Sequence, residues 1–211
     1  SIVLIKNESI PFAEVIDGQQ RLTTLTILLA LITSYFSDDL RTDFASYIRE
    51  PGKASQGLKP KPRLTLRERD SVFFTKYVQS FDFDALLSIE PQTLDNESQK
   101  NIQANSRLLK DKLQTALHGD VEQLCRFGAF LVQRCFLVVV STPSQESAFR
   151  VFSVLNNRGL DLLPSDIIKA EIIGRVAPER QDEFTEKWEE LEVRTGRNGF
   201  NDLFGHIRMI Y

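Results

Sequence analysis

The sequence predicts an α+β domain in which a small mixed sheet is accompanied by many helices. Three observations lead to this prediction. Short apolar runs near the amino terminus are separated by turn residues, which is typical of strands. Longer segments after residue 18 repeat apolar side chains at helical spacing. The 211 residues, of which 42% are hydrophobic and 26% charged, suffice for a sizeable core.

The first elements are the clearest. Residues 2–5 and 13–16 are apolar runs around a polar turn, and they predict a β-hairpin. Residues 19–36 predict a helix that is buried from Leu25 onward, because it is apolar on nearly every side. The next predicted elements, in chain order, are a weaker helix at 41–49, a loop at 50–62, a short strand at 63–66, a helix at 70–81, a turn at 91–98, and helices at 98–117 and 120–133.

The second half begins with the run CFLVVVS at residues 135–141, which predicts a strand buried on both faces because it is short, β-branched and continuous. Helices are then predicted at 144–156, 165–176, 178–195 and 200–211. We interpret residues 1–142 as a core with inserted helices and 143–211 as a helical part of the same continuous domain.

Composition excludes several classes of protein. A net charge of −3 argues against a polycation, so contact with nucleic acid would need a local patch or a partner domain. No apolar run reaches the roughly 18 residues of a membrane span. The start SIVLIKNE lacks the basic segment of a signal peptide. Cys125 and Cys135 fit no metal spacing and predict reduced thiols, so we expect a cytoplasmic protein.

Both ends of the chain suggest a longer polypeptide. The sequence opens on an apolar run without an initiator methionine, and it closes on HIRMIY, where a periodic pattern is still running. These features predict a fragment excised from a larger protein. The alternative is a complete protein from which a tag was removed.

The stretch DGQQR lies between a predicted strand and a buried helix. Gly18 permits a sharp turn and a close approach to a ligand. Asp17 is placed to cap the helix or to bind a metal ion. The first helical turn offers unpaired N–H groups and a positive dipole end, and Arg21 adds a planar fork of donors, which predicts a pocket for a nucleotide phosphate. The residues expected to line it are Asp17, Gly18, Gln19, Gln20, Arg21, Thr23 and Thr24.

A purely structural interpretation of this stretch stays open. Asp17 would then cap the helix and pair with Arg21 four residues on, and the two glutamines would be solvated. Polar residues between buried segments are costly without partners. A satisfied network must therefore exist there, although it does not identify a ligand.

A second polar segment interrupts the helices near residue 157. A predicted helix ends at Asn156, before Arg158 and a glycine, and Ser165 restarts a helix with Asp166 and Lys169 in its first two turns. The functional interpretation is that Asn156 and Arg158 face the DGQQR stretch, while the other two orient the connection. The alternative is a plain helix–turn–helix with solvated charges.

These two stretches together carry a resemblance to a known family. The sequences EVIDGQQRLTTL and FRVFSVLNNRGLDLLPSDIIKAEII resemble the N-terminal domain of the GmrSD-type restriction endonucleases. That prokaryotic family has a DGQQR motif and a later F-x-x-x-N-x-R-G-x-x-L-x-x-x-D-x-x-K pattern. The second pattern is met here at the positions Phe152, Asn156, Arg158, Gly159, Leu162, Asp166 and Lys169.

The resemblance implies a ParB/sulfiredoxin-like core and a domain that binds and hydrolyses a nucleoside triphosphate with Mg²⁺. In full-length members an HNH-type nuclease domain follows, and the whole protein restricts modified or phage DNA. Carried over to this chain, Asp17, Gln20 and Arg21 would be catalytic, with Asp17 on the metal. The nucleotide-binding residues would be Gly18, Gln19, Thr23, Thr24, Asn156, Arg158, Asp166 and Lys169.

Some family features are missing from this sequence. An upstream I-P-x-Y-Q-R-type segment, which contributes to the same pocket, is absent, so the predicted core is incomplete. His118 and His206 are isolated, and no nuclease motif surrounds them. We therefore expect no DNA cleavage by this chain. Contact with DNA and with the nuclease domain would belong to the parent polypeptide.

Other functional signals are weaker. The sequence has no P-loop motif. Residues 53–69, KASQGLKPKPRLTLRER, hold six basic residues and one acid, which is compatible with a phosphate-backbone contact or with a solvated loop. The sequence thus predicts a nucleotide-dependent regulatory domain of a defence protein, with possible NTPase activity. The alternative is a non-catalytic DNA- or protein-binding module in which DGQQR is structural.

Overall fold

The computed structural model describes residues 1–144, 147–148, 151–152, 165, 168–169, 172 and 176–210. Its strands are β1 (Ile2–Lys6), β2 (Ala13–Asp17), β3 (Arg49–Glu50), β4 (Lys61–Pro62) and β5 (Val139–Thr142). Its helices are α1 (Gln19–Ser34), α2 (Asp38–Ser46), α3 (Glu68–Tyr77), α4 (Phe83–Ser88), α5 (Glu97–Leu117), α6 (Val121–Arg134), α7 (Pro178–Thr195) and α8 (Arg197–Ile210). The predicted α+β class with a small sheet and many helices is confirmed.

The strands form two sheets. The first has the order β2-β1-β5, so the two strands of the predicted hairpin are neighbours. The Thr142 hydroxyl donates to the carbonyl of Leu4 at 3.2 Å, which ties β5 to β1. The second sheet is the antiparallel pair β3-β4, in which Arg49 faces Pro62 and Glu50 faces Lys61.

The chain divides into two compact units. Unit 1 comprises Ser1–Ile2 and Asp17–Val139, and unit 2 comprises Val3–Ile16 and Val140–Tyr211. Each unit is therefore assembled from two separate stretches of chain. The predicted arrangement, one continuous domain with parts at residues 1–142 and 143–211, stays a prediction, because a compact unit is not by itself an independently folding domain.

Unit 1 is built around α1. Its second half is buried because apolar residues occupy every side of the helix there, and α2, α5 and α6 pack against it. The buried apolar side chains of this core are Ile27, Ala30, Leu31, Ile32, Phe36, Phe44, Ile48, Phe74, Val78, Phe81, Phe83, Leu86, Ile102, Leu113 and Leu124. The predicted burial of this helix from Leu25 onward agrees with that core.

Two close contacts hold helices to this core. Gly128 of α6 lies against the ring of Phe44, and a Cβ at Gly128 would lie 2.4 Å from Phe44 Cε1. Gln103 of α5 is buried, and its Nε2 donates to the carbonyls of Leu86 at 2.9 Å and Ile89 at 2.7 Å. The glutamine thereby adds hydrogen bonds at the end of α4, where the Leu86 carbonyl also accepts from the Ile89 N–H at 3.4 Å.

Helix α6 begins at a capped turn. Asp120 is its N-cap, and its carboxylate accepts hydrogen bonds from the backbone N–H groups of Glu122 at 2.9 Å and Gln123 at 3.2 Å. Hydrogen bonds from the backbone and side chain of Gln123 hold the pKa of this exposed carboxyl below its usual range. The cap agrees with the predicted start of a helix near residue 120.

Unit 2 contains the helical pair α7–α8. Trp188 of α7 stacks on Phe204 with ring centroids 5.4 Å apart, and it meets the edge of Phe200 at 5.0 Å. Lys169 pairs with Glu189 of α7 at 3.5 Å. The helices predicted at 178–195 and 200–211 are confirmed, the second one beginning three residues earlier than expected.

The middle of the chain departs from the sequence prediction. The strand predicted at 63–66 is wrong, since pairing with β3 engages Lys61–Pro62 instead. The loop predicted at 50–62 therefore contains part of a hairpin. Helix α4 was not predicted, although Asp82 caps it by accepting from the Ala85 N–H at 3.2 Å. A helix of only six residues gives too short a periodic pattern to detect.

The strand predicted at 135–141 is also partly wrong. Strand β5 covers only Val139–Thr142 and lies at one edge of the sheet. The run before it is exposed, with Phe136 at 87% and Val138 at 68% of their full accessible area. The prediction of burial on both faces assumed a central strand, whereas an edge strand of a three-stranded sheet covers less apolar surface.

Candidate functional site

The turn from β2 into α1 depends on Gly18. This residue is the N-cap of α1 and has φ +95° and ψ 8°, a left-handed conformation that glycine adopts without strain. A Cβ there would lie 3.0 Å from Ile2 Cγ1. The predicted sharp turn is therefore present, and the backbone of β1 approaches it closely.

The start of α1 carries no side-chain cap. Gly18 occupies the N-cap position, its carbonyl accepts from the Leu22 N–H at 2.9 Å, and no side chain accepts from the first turn as a cap. The predicted capping role of Asp17 is wrong, because the carboxylate stands one residue before the cap position. Gln19, Gln20 and Arg21 are exposed in the first turn, where unpaired backbone N–H groups favour an anion.

We call the turn from β2 into α1 and the first residues of that helix, Asp17–Thr24, the seam. Within the seam, Arg21 has two partners. Its Nη1 donates to the carbonyl of Ser1 and lies 4.0 Å from Asp17 Oδ2. The Asp17 side chain is 22% exposed and that of Arg21 is 50% exposed. An ion pair this long and this accessible contributes little to stability. The guanidinium has five N–H donors, so further donors are left for an anion.

The two threonines of the seam differ from each other. Thr23 donates its hydroxyl proton to the carbonyl of Gln19 at 2.9 Å, so this proton is committed to the helix. Its oxygen can accept a hydrogen bond but cannot donate one to a phosphate without breaking that contact. Thr24 is exposed on the next position. Of the two predicted hydroxyls, Thr24 is the one with its proton available for a ligand.

The second polar segment is described only in part. Asn156, Arg158 and Asp166 lie outside the described residues, so their predicted roles stay predictions. Lys169 is helical and pairs with Glu189. This contact lies within unit 2, and the predicted role of Lys169 at the nucleotide site stays a prediction.

Sequence reasoning missed two partners of the seam, the carbonyl of Ser1 and the side chain of Ile2. A backbone carbonyl acceptor leaves no mark in the sequence. The contact of Ile2 with Gly18 was open to detection in principle, because β1 starts with an apolar residue and the hairpin brings strand ends together.

A buried carboxylate elsewhere in unit 1 has a structural explanation. Asp70 is 2% exposed, and it accepts from Asn96 Nδ2 at 3.1 Å and lies 3.6 Å from Arg69 Nε. Buried charges often mark functional sites. Here both carboxylate oxygens have partners, and the contact joins α3 to the residue that caps α5.

Among the described residues, no three or more His, Cys, Asp or Glu side chains cluster as metal ligands would. Within those residues, too, no helix combines the length and the apolar character needed to cross a membrane.

Comparison with known proteins identifies the family. The family model described as GmrSD restriction endonuclease, N-terminal domain, matches residues 1–173. This match spans both the DGQQR stretch and the second polar segment. No curated protein and no solved structure matches the chain. The family model covers more than half of the chain, and the chain therefore belongs to the GmrSD restriction endonuclease N-terminal domain family.

Proposed function

We propose that this domain binds a nucleoside triphosphate at the seam between β2 and α1, hydrolyses it, and thereby regulates a modification-dependent restriction or phage-defence protein. The observation that carries the proposal is the start of α1. It is an exposed helix terminus without a side-chain cap, beside an arginine. Family membership supplies the restriction context.

The helix start supports phosphate binding on physical grounds. The N–H groups of the first turn and the positive end of the helix dipole both favour an anion. Gly18 has no side chain, so a phosphate can approach the backbone closely. Gln19 and Gln20 lie in this turn and add amide donors at its edge.

The side chains of the seam would have different roles in hydrolysis. Arg21 would neutralise charge that develops on the transferred phosphoryl group, as arginines do in phosphoryl transfer. To do so it would use the N–H donors that its contact with the Ser1 carbonyl leaves available. Gln20 would orient the attacking water, and Thr24 would donate to a phosphate oxygen. The roles that the family resemblance implies for Asn156, Arg158, Asp166 and Lys169 stay predictions.

Asp17 is the carboxylate available for Mg²⁺ at this seam. Mg²⁺ commonly binds one or two carboxylates together with substrate phosphates and water, rather than a cage made only of protein ligands. A single carboxylate next to a phosphate-binding turn fits that mode. Asp17 would hold the ion, and the chemistry it would supply is a reduction of the negative charge on the phosphates.

In the parent polypeptide, the proposed partner is a C-terminal HNH-type nuclease domain, and DNA would be bound through that protein. Hydrolysis in the present domain would then control the nuclease. A second candidate is a non-catalytic binding module in which DGQQR is structural. The contact of Arg21 with Ser1 and Asp17 favours it, because this network already gives the guanidinium partners.

Thermal unfolding with Mg²⁺ and each of the four common ribonucleoside triphosphates tests the proposal. A ligand present at a hundredfold over its Kd stabilises the native state by about 2.7 kcal/mol. We expect one or more triphosphates to raise the Tm of the wild type, and Arg21→Ala to abolish that rise. Release of inorganic phosphate then separates an enzyme from a binding module.

Arg126→Ala is the matched control. Arg126 is also an exposed helical arginine paired with an acid four residues earlier, Glu122, at 2.6 Å. It should lower neither the nucleotide-induced rise in Tm nor the rate of phosphate release. Binding without phosphate release would contradict the hydrolysis step, whereas the absence of any nucleotide effect on the wild type would contradict the whole proposal and favour the second candidate, in which DGQQR is structural.

A further inference from the structure

We infer that the hairpin formed by residues 49–63 is a binding surface for the phosphate backbone of duplex DNA. This surface uses no residue of the seam, Asp17–Thr24, so its residues differ from those of the proposed nucleotide site. We call it the basic hairpin. Three properties of the basic hairpin support this function: its charge, the backbone contacts between its arms, and a sequence that disfavours other kinds of partner.

Charge is strongly segregated in this chain. Residues 49–63 contain five basic residues and one acid, a net charge of +4, in a protein whose total net charge is −3. The remaining residues therefore carry −7, the difference between −3 and +4. A local excess of this size attracts a polyanion even though the whole domain is acidic.

The arms of the basic hairpin are held together by backbone contacts. β3 pairs with β4, and the N–H groups of Lys53 and Leu58 each donate to the other's carbonyl at 3.0 Å. Gly52 has φ +72°, and a Cβ there would lie 2.5 Å from the Leu58 carbonyl oxygen. Arg63 fixes the base, because its Nε donates to the carbonyl of Ser46 at 2.7 Å.

The cations of the second arm lie in a row. Lys61 Nζ and Arg63 Nη1 both approach Glu50, each at 3.9 Å from one carboxylate oxygen, so they project on the same side. Lys59 stands two residues before Lys61, so the three cations fall within a row about 13 Å long at 3.3 Å per residue. A row of this length suits a repeating anion rather than a single phosphate.

Lys53 and Lys59 provide the most available charge. Both are exposed, and within the described residues neither forms an ion pair. Arg49 at the base is different, since its guanidinium lies over the Phe81 ring, 5.0 Å from the centroid. The two lysines are therefore the side chains to test.

The same segment disfavours other partners. It contains no aromatic residue, so it lacks the stacking surfaces that hold single-stranded bases. Pro60 and Pro62 remove N–H donors from its second arm, which hinders the addition of a peptide strand. A charged, non-stacking ridge matches the backbone of a duplex, where affinity comes mainly from phosphate contacts.

The test is the binding of a fluorescein-labelled duplex of about 20 base pairs, measured by fluorescence anisotropy between about 50 and 200 mM salt. We expect the double substitution Lys53→Gln and Lys59→Gln to weaken binding at every salt concentration. The slope of log affinity against log salt should become shallower by about two, because each lost phosphate contact removes about 0.9. Far-UV circular dichroism and the Tm should be unchanged, since both side chains are exposed.

The matched control is Lys6→Gln with Lys112→Gln, two exposed lysines outside the basic hairpin that have no ion pair within the described residues. This variant should bind like the wild type. Four results would overturn the inference: no binding of the duplex at the lowest salt, equal losses in both double variants, tighter binding of the corresponding single strand, or full competition by polyglutamate at equal charge.

Discussion

Gly18 shows how one residue sets the geometry of the seam. Its φ of +95° is unfavourable for any residue with a Cβ, and the contact with Ile2 removes the space that a side chain would need. Gly18→Ala should therefore lower the free energy of unfolding by about 1–2 kcal/mol for the conformation alone, with a further loss from the crowded Ile2. Urea denaturation followed by far-UV circular dichroism measures the change.

Gly57→Ala separates the cost of the positive φ from the cost of crowding Ile2. Gly57 also has a positive φ, +67°, but no atom lies within 4 Å of a Cβ built there. It should cost less than Gly18→Ala, and equal losses would refute the Ile2 contact. At this scale the sequence predicted the turn at Gly18 but not the role of its neighbour. Asp17 was expected to cap α1 or to bind a metal ion, and its position one residue before the N-cap removes the first of these roles.

At the scale of elements, replacement by alanine should have opposite effects on stability at two helical glycines. Gly128→Ala places a methyl group against the Phe44 ring, and overpacking of about 1–3 kcal/mol exceeds the gain of about 1 kcal/mol in helix propensity. Gly205 of α8 has open space around its Cβ position, so Gly205→Ala should stabilise its unit by about 0.5–1 kcal/mol. Urea midpoints are the measurement, and stabilisation by both substitutions would contradict the α6–Phe44 contact.

Element prediction succeeded where periodicity was long. Helices α1, α5, α6 and α7 repeat apolar residues over several turns, and their positions agree with expectation. The short elements failed for physical reasons. Two-residue strands such as β3 and β4 are defined by pairing between distant residues, which a local pattern does not reveal. The run CFLVVVS has strong β character, but its burial depends on how many strands lie beside it.

At the scale of the whole molecule, the two units should differ in stability. Most of the buried apolar side chains among the described residues belong to unit 1, whereas unit 2 contributes Val3, Ala148 and Phe200. Trp188, the single tryptophan, lies in unit 2. Its fluorescence should change at a lower urea concentration than the far-UV circular dichroism signal. Coincident transitions would contradict this prediction.

The overall class and the location of the seam followed from the sequence, because composition, periodicity and the DGQQR stretch are local properties. The basic hairpin was visible only as a charged loop. Its shape depends on the close approach of Gly52 to the Leu58 carbonyl and on the contacts of Lys61 and Arg63 with Glu50. Both features result from pairing across the loop. The contact of Arg21 with the Ser1 carbonyl likewise could not be predicted, because a backbone acceptor leaves no mark in the sequence.

The discontinuous make-up of the two units has a consequence for the gene. Residues 3–16 of unit 2 separate the two stretches of unit 1, and residues 17–139 of unit 1 separate the two stretches of unit 2. No uninterrupted coding segment specifies one unit alone. A single recombination event at any codon within residues 17–139 would therefore leave both units as chimaeras, each with one part from either parent gene.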